Sequence, residues 1–318
     1  MNEEEFYRVY SKHLQRKYGQ KVYKLPINLP VTCPNRDGCV GTGGCIFCGE
    51  AGAGFENLSN TISVREQLKE NMDYIRRRYN AHKFIAYFQN FTNTYTDIDT
   101  FKMYIQEAVI EDVIEISIST RPDCISDRYL KFLSDIKKNH KIEITVELGL
   151  QTVNYHTLKK VNRGHTLGEF LDSVIRIKKL GFQVCTHLIL NLPWDNMTDV
   201  VENSKVISAL SVDFVKLHSL YVVKNTVLED MLINNEIKLI SKDEYIERVI
   251  TFLEYLNKDI VVQRLIGRAP QENTVFVNWN TSWWKIKDEI ISKMHKKQTY
   301  QGIKCDYLNG KALKQFRR

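Results

Sequence analysis

The chain has 318 residues, with 45 Lys/Arg against 38 Asp/Glu and 43% hydrophobic residues, enough material for one large domain or one domain with an extension. It contains no apolar run approaching the ~20 residues of a membrane-spanning helix, and its acidic start, Met1-Asn2-Glu3-Glu4-Glu5, shows no secretory signal. These features exclude a membrane-spanning helix and lead to the expectation of a cytoplasmic protein with no membrane partner.

In chain order, residues 5–20 read as a short helix and 22–29 as a first strand that Pro26 makes irregular. A stretch without helical or strand period follows, Cys33 to Glu50. Ser63-Val64-Arg65-Glu66 is a capping box, and Val64, Leu68, Met72, Ile75 and Tyr79 continue at helical spacing. Strand and helix then alternate: 83–89 and 97–110, 113–120 and 126–138, 142–150 and 167–180, 183–192 and 198–210, with a strand at 214–223. Six strands alternating with helices argue an α/β fold with a parallel sheet, and six β/α units an open partial (β/α)6 TIM-like barrel. Ligands in such folds sit at the C-terminal strand ends, which is where the cysteine stretch follows the first strand. After about residue 225 the rhythm changes. Ser241-Lys242-Asp243-Glu244 caps a further helix, residues 259–266 read as a seventh strand, and Trp279, Trp283 and Trp284 lead into a basic tail. The expected division is a barrel with its N-terminal helix and cysteine loop at 1–229, and a C-terminal α/β extension at 230–318.

The irregular stretch is Cys33-Pro34-Asn35-Arg36-Asp37-Gly38-Cys39-Val40-Gly41-Thr42-Gly43-Gly44-Cys45-Ile46-Phe47-Cys48-Gly49-Glu50, with four of the seven cysteines. Its five glycines let the backbone wrap closely. Clustered thiols in a chain of this kind point to metal rather than disulfides. Soft thiolates suit zinc or iron–sulfur. A closed zinc site takes four ligands, with Cys39 as the fourth; an iron–sulfur cluster on three cysteines keeps one iron open. Cys124, Cys185 and Cys305 are isolated and read as ordinary cysteines.

Cys45-x-x-Cys48 followed by Gly49-Glu50 resembles the radical S-adenosylmethionine (SAM) superfamily. The spacing here, C-x11-C-x2-C, resembles the Elongator catalytic subunit and its shorter bacterial relatives. Further segments are similar to that group: Ser119-Thr120-Arg121-Pro122-Asp123, Glu147-Leu148-Gly149-Leu150-Gln151, Arg163-Gly164-His165-Thr166, Thr186-His187 through Asn191-Leu192-Pro193, and Gln263-Arg264. The likeness runs from about Tyr23 to Gly267, and no acetyltransferase domain follows. It implies a [4Fe–4S] cluster on Cys33, Cys45 and Cys48, with Cys39 at a position that need not be cysteine. It implies SAM contacts from Gly49, Glu50, Ser119, Arg121, Glu147, Gln151 and Arg163. The plain structural alternatives are a salt bridge for Arg163, a capping role for Gln151, an ion pair with Asp123 for Arg121 and a satisfied core position for His187. On the sixth strand, Lys216 and Lys224 are the candidates for touching substrate.

The resemblance further implies cleavage of SAM to a 5′-deoxyadenosyl radical, a one-electron donor such as flavodoxin or ferredoxin, and a tRNA substrate. The expected reaction is removal of the carboxymethyl group from carboxymethylaminomethyluridine at the wobble position. The chain beyond Trp283 carries ten Lys/Arg against Asp288, Glu289 and Asp306, the footprint expected for a polyanion or simply a solvated tail. The alternatives are a radical SAM enzyme acting on a small molecule such as a tetrapyrrole, and a non-catalytic zinc module that binds nucleic acid.

Overall fold

The computed structural model describes residues 3–49, 57–267 and 273–316, and in it the expected alternation forms one curled parallel sheet. Seven strands lie side by side in chain order: β1 (Val22–Ile27), β2 (Lys83–Phe88), β3 (Val113–Thr120), β4 (Glu143–Gln151), β5 (Gln183–Ile189), β6 (Phe214–His218) and β8 (Val261–Arg264). Every neighbouring pair is parallel. Between the last two, β7 (Val222–Val223) leaves the sheet and pairs antiparallel with β9 (Thr274–Phe276). A strand order that never reverses wraps the sheet as an open partial barrel, with helices outside. The central strands are buried on both faces, which is why they read as near-continuous apolar runs.

The helices are α1 (Tyr10–Tyr18), α2 (Val64–Tyr79), α3 (Ile98–Glu107), α4 (Asp127–His140), α5 (Tyr155–Lys160), α6 (Leu167–Lys179), α7 (Met197–Ala209), α8 (Val227–Ile233), α9 (Lys242–Tyr255) and α10 (Trp283–Lys296). Side-chain caps start α2, α6 and α7: Ser63 with Glu66, Thr166 with Glu169, and Asn196 with Asp199. Each fixes the point at which a loop from a strand's C-terminal end turns into a helix. At the open edge, Val9 bridges Val262 of β8, and the Val262 amide donates to the Arg8 carbonyl at 2.9 Å. The N-terminal segment therefore covers backbone groups that an edge strand would otherwise expose.

One expectation changes. The sixth strand ends at His218, so Lys224 is not on it; Lys224 lies exposed after β7, its amide donating to the Asn273 carbonyl at 2.8 Å. The seventh strand expected at 259–266 is β8, at the edge of the barrel sheet. Part of the basic tail is answered by acidic side chains. Helix α10 runs beside α9, where Lys293 and Lys297 both pair with Glu247 and Lys304 pairs with Glu254. The Gln301 side-chain amide donates to the carbonyls of Asn257 and Ile260, both at 2.8 Å, just before β8 begins. This part of the tail thus sits at the N-terminal end of the strands, opposite the cysteine loop. Of the three tryptophans only Trp284 is exposed; Trp279 packs against Tyr245 and donates to the Ile240 carbonyl. Arg317 and Arg318 lie outside the described residues.

Candidate active site

The C-terminal strand ends open into a cavity of about 280 Å³ whose wall includes Cys33, Cys45 and Cys48. Cys39 is exposed and is not part of that wall. Short turns fold the loop: the Arg36 amide donates to the Cys33 carbonyl at 2.8 Å and the Cys48 amide to the Cys45 carbonyl at 2.9 Å. The loop docks on the turn that carries Arg163. Asn162 donates its side-chain amide to the Gly44 carbonyl at 2.8 Å, and Asn35 donates to the Asn162 carbonyl at 2.5 Å. Gly164 makes this contact possible. Its φ is +77°, and a Cβ there would stand 2.8 Å from Asn35 Oδ1.

The thiols fit a cluster better than a single ion. Tetrahedral zinc with Zn–S near 2.3 Å needs its sulfurs about 3.8 Å apart. Among the described residues, Glu147, Cys185 and His187 are the one trio of ligand atoms lying within 4.8 Å of one another, so the loop thiols are spread wider than one zinc requires. An iron–sulfur cluster, which would take each sulfur on a different iron, needs no such close trio. The Glu147 trio does not suit a cation, because Lys24 and Lys216 already hold the same carboxylate.

Each cavity thiol has its own guanidinium. Arg36 Nη2 lies 3.2 Å from Cys48 Sγ, Arg163 Nη1 3.6 Å from Cys45 Sγ, and Arg121 Nη1 3.9 Å from Cys33 Sγ. Burial pushes the Cys48 thiol up, and Arg36 opposes it. Cations beside thiols favour the thiolate, the form that binds metal. The remaining donors of Arg163 go to the Gly149 carbonyl, 2.8 Å from Nη2, and to His165 Nε2, 2.8 Å from Nε. A side chain at Gly149 would place its Cβ 2.8 Å from Arg163 Nη2. Burial, then Arg163 and Arg121, hold His165 at about 3, so it is the neutral acceptor this geometry needs. Arg121 binds Asp123 through Nε at 2.9 Å and Nη2 at 2.7 Å. In this arrangement both arginines brace the thiols, and the Arg121–Asp123 pair is the simpler alternative weighed for that residue.

The other expected contacts divide. Gln151, Ser119 and Gly49 line the cavity. Gln151 ends β4 at φ +74°, a strained conformation for a non-glycine residue and one that recurs at functional sites. Gly49 packs tightly under β7, where a Cβ would meet Val223 Cγ1 at 2.9 Å. Glu50 lies outside the described residues. Glu147 is fully buried and its oxygens are occupied by Ser117 Oγ at 2.7 Å, His187 Nε2 at 2.7 Å, Lys216 Nζ at 3.3 Å and Lys24. Burial alone would raise its pKa, but Lys216, Lys24 and His187 hold it well below the carboxylate range. Burial also lowers His187 to about 4, so at neutral pH it donates a neutral N–H. Lys216 lines the cavity floor and donates to Tyr87 Oη at 2.7 Å; Lys224 is not among the lining residues. Sequence reasoning missed Lys24, Arg36 and Tyr87, and assigned no role to Arg264, which also lines the cavity. The available signal was a polar residue inside a buried parallel strand, as at Lys24 in β1 and Arg264 in β8.

Two outcomes follow from this geometry. Cys33→Ala, Cys45→Ala and Cys48→Ala should each abolish the iron–sulfur absorbance of anaerobically reconstituted protein, whereas Cys39→Ala keeps it. Loss in Cys39→Ala with retention in Cys33→Ala would exchange their roles. Glu147→Gln leaves two ammonium groups against a neutral amide and should lower stability to chemical denaturation by about 3 kcal/mol or more; a change under about 1 kcal/mol would show that Glu147 is not the hub of the interior.

The comparisons with known proteins agree with this geometry. A family model described as the Radical SAM superfamily matches residues 32–206, and one described as the Radical_SAM C-terminal domain matches 212–296. The Bacillus subtilis protein YtqA is 32% identical over 302 residues, covering 95% of this chain and 93% of YtqA. The tRNA uridine(34) acetyltransferase of Methanocaldococcus jannaschii is 26% identical over 209 residues, 63% of this chain and 36% of that protein. Among solved structures, the archaeal Elp3 of Methanocaldococcus infernus superposes with a TM-score of 0.69 at 18% identity, covering 88% of this chain and 64% of that one, and so shares the fold. No described helix is long and apolar enough to cross a membrane. With a parallel half-barrel, three thiols on the loop after its first strand and a family match over more than half its length, the chain belongs to the radical SAM superfamily, whose enzymes use a [4Fe–4S] cluster and SAM.

Proposed function

We propose that this radical SAM enzyme acts on the side chain at carbon 5 of the wobble uridine of tRNA, for example in taking carboxymethylaminomethyluridine to aminomethyluridine. The observation that carries the reading is the similarity over 63% of the chain to a tRNA uridine(34) acetyltransferase. In this reading Cys33, Cys45 and Cys48 hold the cluster. Arg36, Arg121 and Arg163 stand beside the thiols and hold the loop in place. Gln151, Ser119 and Gly49 meet SAM, and Lys216 meets substrate at the cavity floor. Together the cluster and SAM, when bound, supply a 5′-deoxyadenosyl radical through one electron from a donor such as flavodoxin or ferredoxin. The chain's own part is to place the substrate carbon and to keep water from the cavity.

The basic segment from Lys293 to Lys304 is not what supports a tRNA partner, because it lies at the far end of the barrel. The rim does. Helix α5 follows β4, and the Ile46 amide of the cysteine loop donates to the Val161 carbonyl at its end. Lys159 and Lys160 are exposed there, Lys160 Nζ standing 5.4 Å over the Trp194 ring and Lys159 Nζ 5.8 Å over exposed Tyr155. Cations interleaved with aromatic rings suit phosphates and stacked bases.

Gln151→Ala should weaken SAM binding about five-fold or more at equal cluster content, measured by anaerobic calorimetry; unchanged affinity returns Gln151 to a structural role. Reconstituted enzyme with SAM and reductant should convert the wobble nucleoside in tRNA from a strain lacking the gene, read by nucleoside mass spectrometry. Lys159→Glu with Lys160→Glu should weaken tRNA binding and flatten its salt dependence by roughly 0.7–0.9 for each phosphate no longer neutralised, whereas reversing Lys293, Lys296 and Lys297 should do less. Unaltered nucleosides, together with equal binding by both charge-reversed proteins, would remove tRNA and leave a small-molecule substrate.

A further inference from the structure

The cavity floor holds more positive charge than its own carboxylate can answer. Strands β6 and β8 are parallel neighbours, and their register sets Lys216 directly beside Arg264. Both side chains line the cavity. Like charges at adjacent positions on one sheet face repel. Lys216 has its answer in Glu147 and Tyr87 Oη, at 3.3 and 2.7 Å. Arg264 has none. Among the described residues it forms no ion pair; its Nη2 donates to His218 Nδ1 at 2.6 Å, and its Nε is buried without a hydrogen-bond partner. Glu147 cannot serve it as well, because Lys24, Lys216, His187 and Ser117 already occupy both oxygens. His218 adds no negative charge. A guanidinium enclosed in a cavity wall with an idle N–H is costly unless an anion completes it.

We propose that Arg264, with Lys216 beside it, forms a subsite that takes a carboxylate at the end of the substrate, the guanidinium engaging it through Nε–H and the neighbouring amino group. A planar, terminal carboxylate matches the two-point edge of a guanidinium. A phosphate within a polynucleotide is flanked by a sugar on each side and presents no such terminal edge. The inference rests on the proposed function in placing the substrate in this cavity. It does not depend on whether the carboxylate arrives on a tRNA side chain or on a free small molecule.

The test uses the full chain, reconstituted anaerobically and saturated with SAM. Binding of free 5-carboxymethylaminomethyluridine is compared with binding of its carboxamide, and the same pair is compared within an anticodon stem–loop. The wild-type protein should favour the carboxylate about ten-fold or more. Arg264→Gln should erase the preference, and Arg264→Lys should keep part of it, with cluster content and SAM affinity unchanged in both. Equal binding of carboxylate and carboxamide by the wild-type protein, or no binding of any of the four compounds, overturns the proposal without requiring that a variant fold. So does a preference that survives Arg264→Gln, or a matching fall in SAM affinity, which would assign the guanidinium to the carboxylate of SAM. Stronger competition by inorganic phosphate than by acetate would make the subsite a phosphate site and overturn the carboxylate. If the free pair shows the preference and neither stem–loop binds, the subsite stands and the tRNA reading falls.

Discussion

Glu147 places one carboxylate, closed off from solvent, among side chains of β1, β3, β5 and β6. Parallel strands hydrogen-bond to their neighbours through the backbone, and their twist and stagger curl the sheet. The acid shared by Lys24, Ser117, His187 and Lys216 ties the first and sixth strands to the same two oxygens across that curl. Desolvating the carboxylate is costly, and it is tolerated only because several donors converge on it. The same convergence leaves a polar floor under the cavity instead of an apolar plug. Tyr87 and Arg264 then line a space in which charge is held by protein groups rather than water.

Above that floor, the cysteine loop depends on a second arrangement. Among the described residues its backbone bridging is confined to Asp37 with Thr42, so most of its shape comes from turns and from docking on the Asn162–Gly164 turn. The arginines beside its three cavity thiols come from three places: the loop itself, the end of β3 and the turn after α5. Thiolates gathered on one cluster would repel, and a guanidinium beside each would offset that repulsion. Gly149 matters here for room, and Gly164 for room and for its left-handed backbone, since a Cβ at either would collide with the atoms that brace the loop.

The distribution of charge shows why position outranks count. The sequence is basic near its end, yet Lys293, Lys297 and Lys304 are answered by Glu247 and Glu254 of α9. Net charge read along a chain does not include partners distant in sequence. Helix α5, beside the cysteine loop, has fewer lysines, but they stand over aromatic rings.

The sequence by itself determined the alternation of strand and helix, the irregular cysteine loop at a strand's C-terminal end, and the family. Those features are local: an apolar run of strand length, a capping box or a C-x2-C pair is visible within a few residues. Only the tertiary structure decided where Glu147, Arg121, Lys224 and Arg264 stand and what surrounds them. Glu147 and Arg264 lie far apart in the chain and meet one cavity because of strand register, which periodicity does not encode. Lys224 left the sixth strand because residues after His218 turn away to pair with β9, a partner well downstream in the chain. Whether a polar side chain in a buried strand faces a cofactor, a counter-charge or a substrate is settled by its neighbours across the sheet, and those neighbours exist only once the sheet has curled.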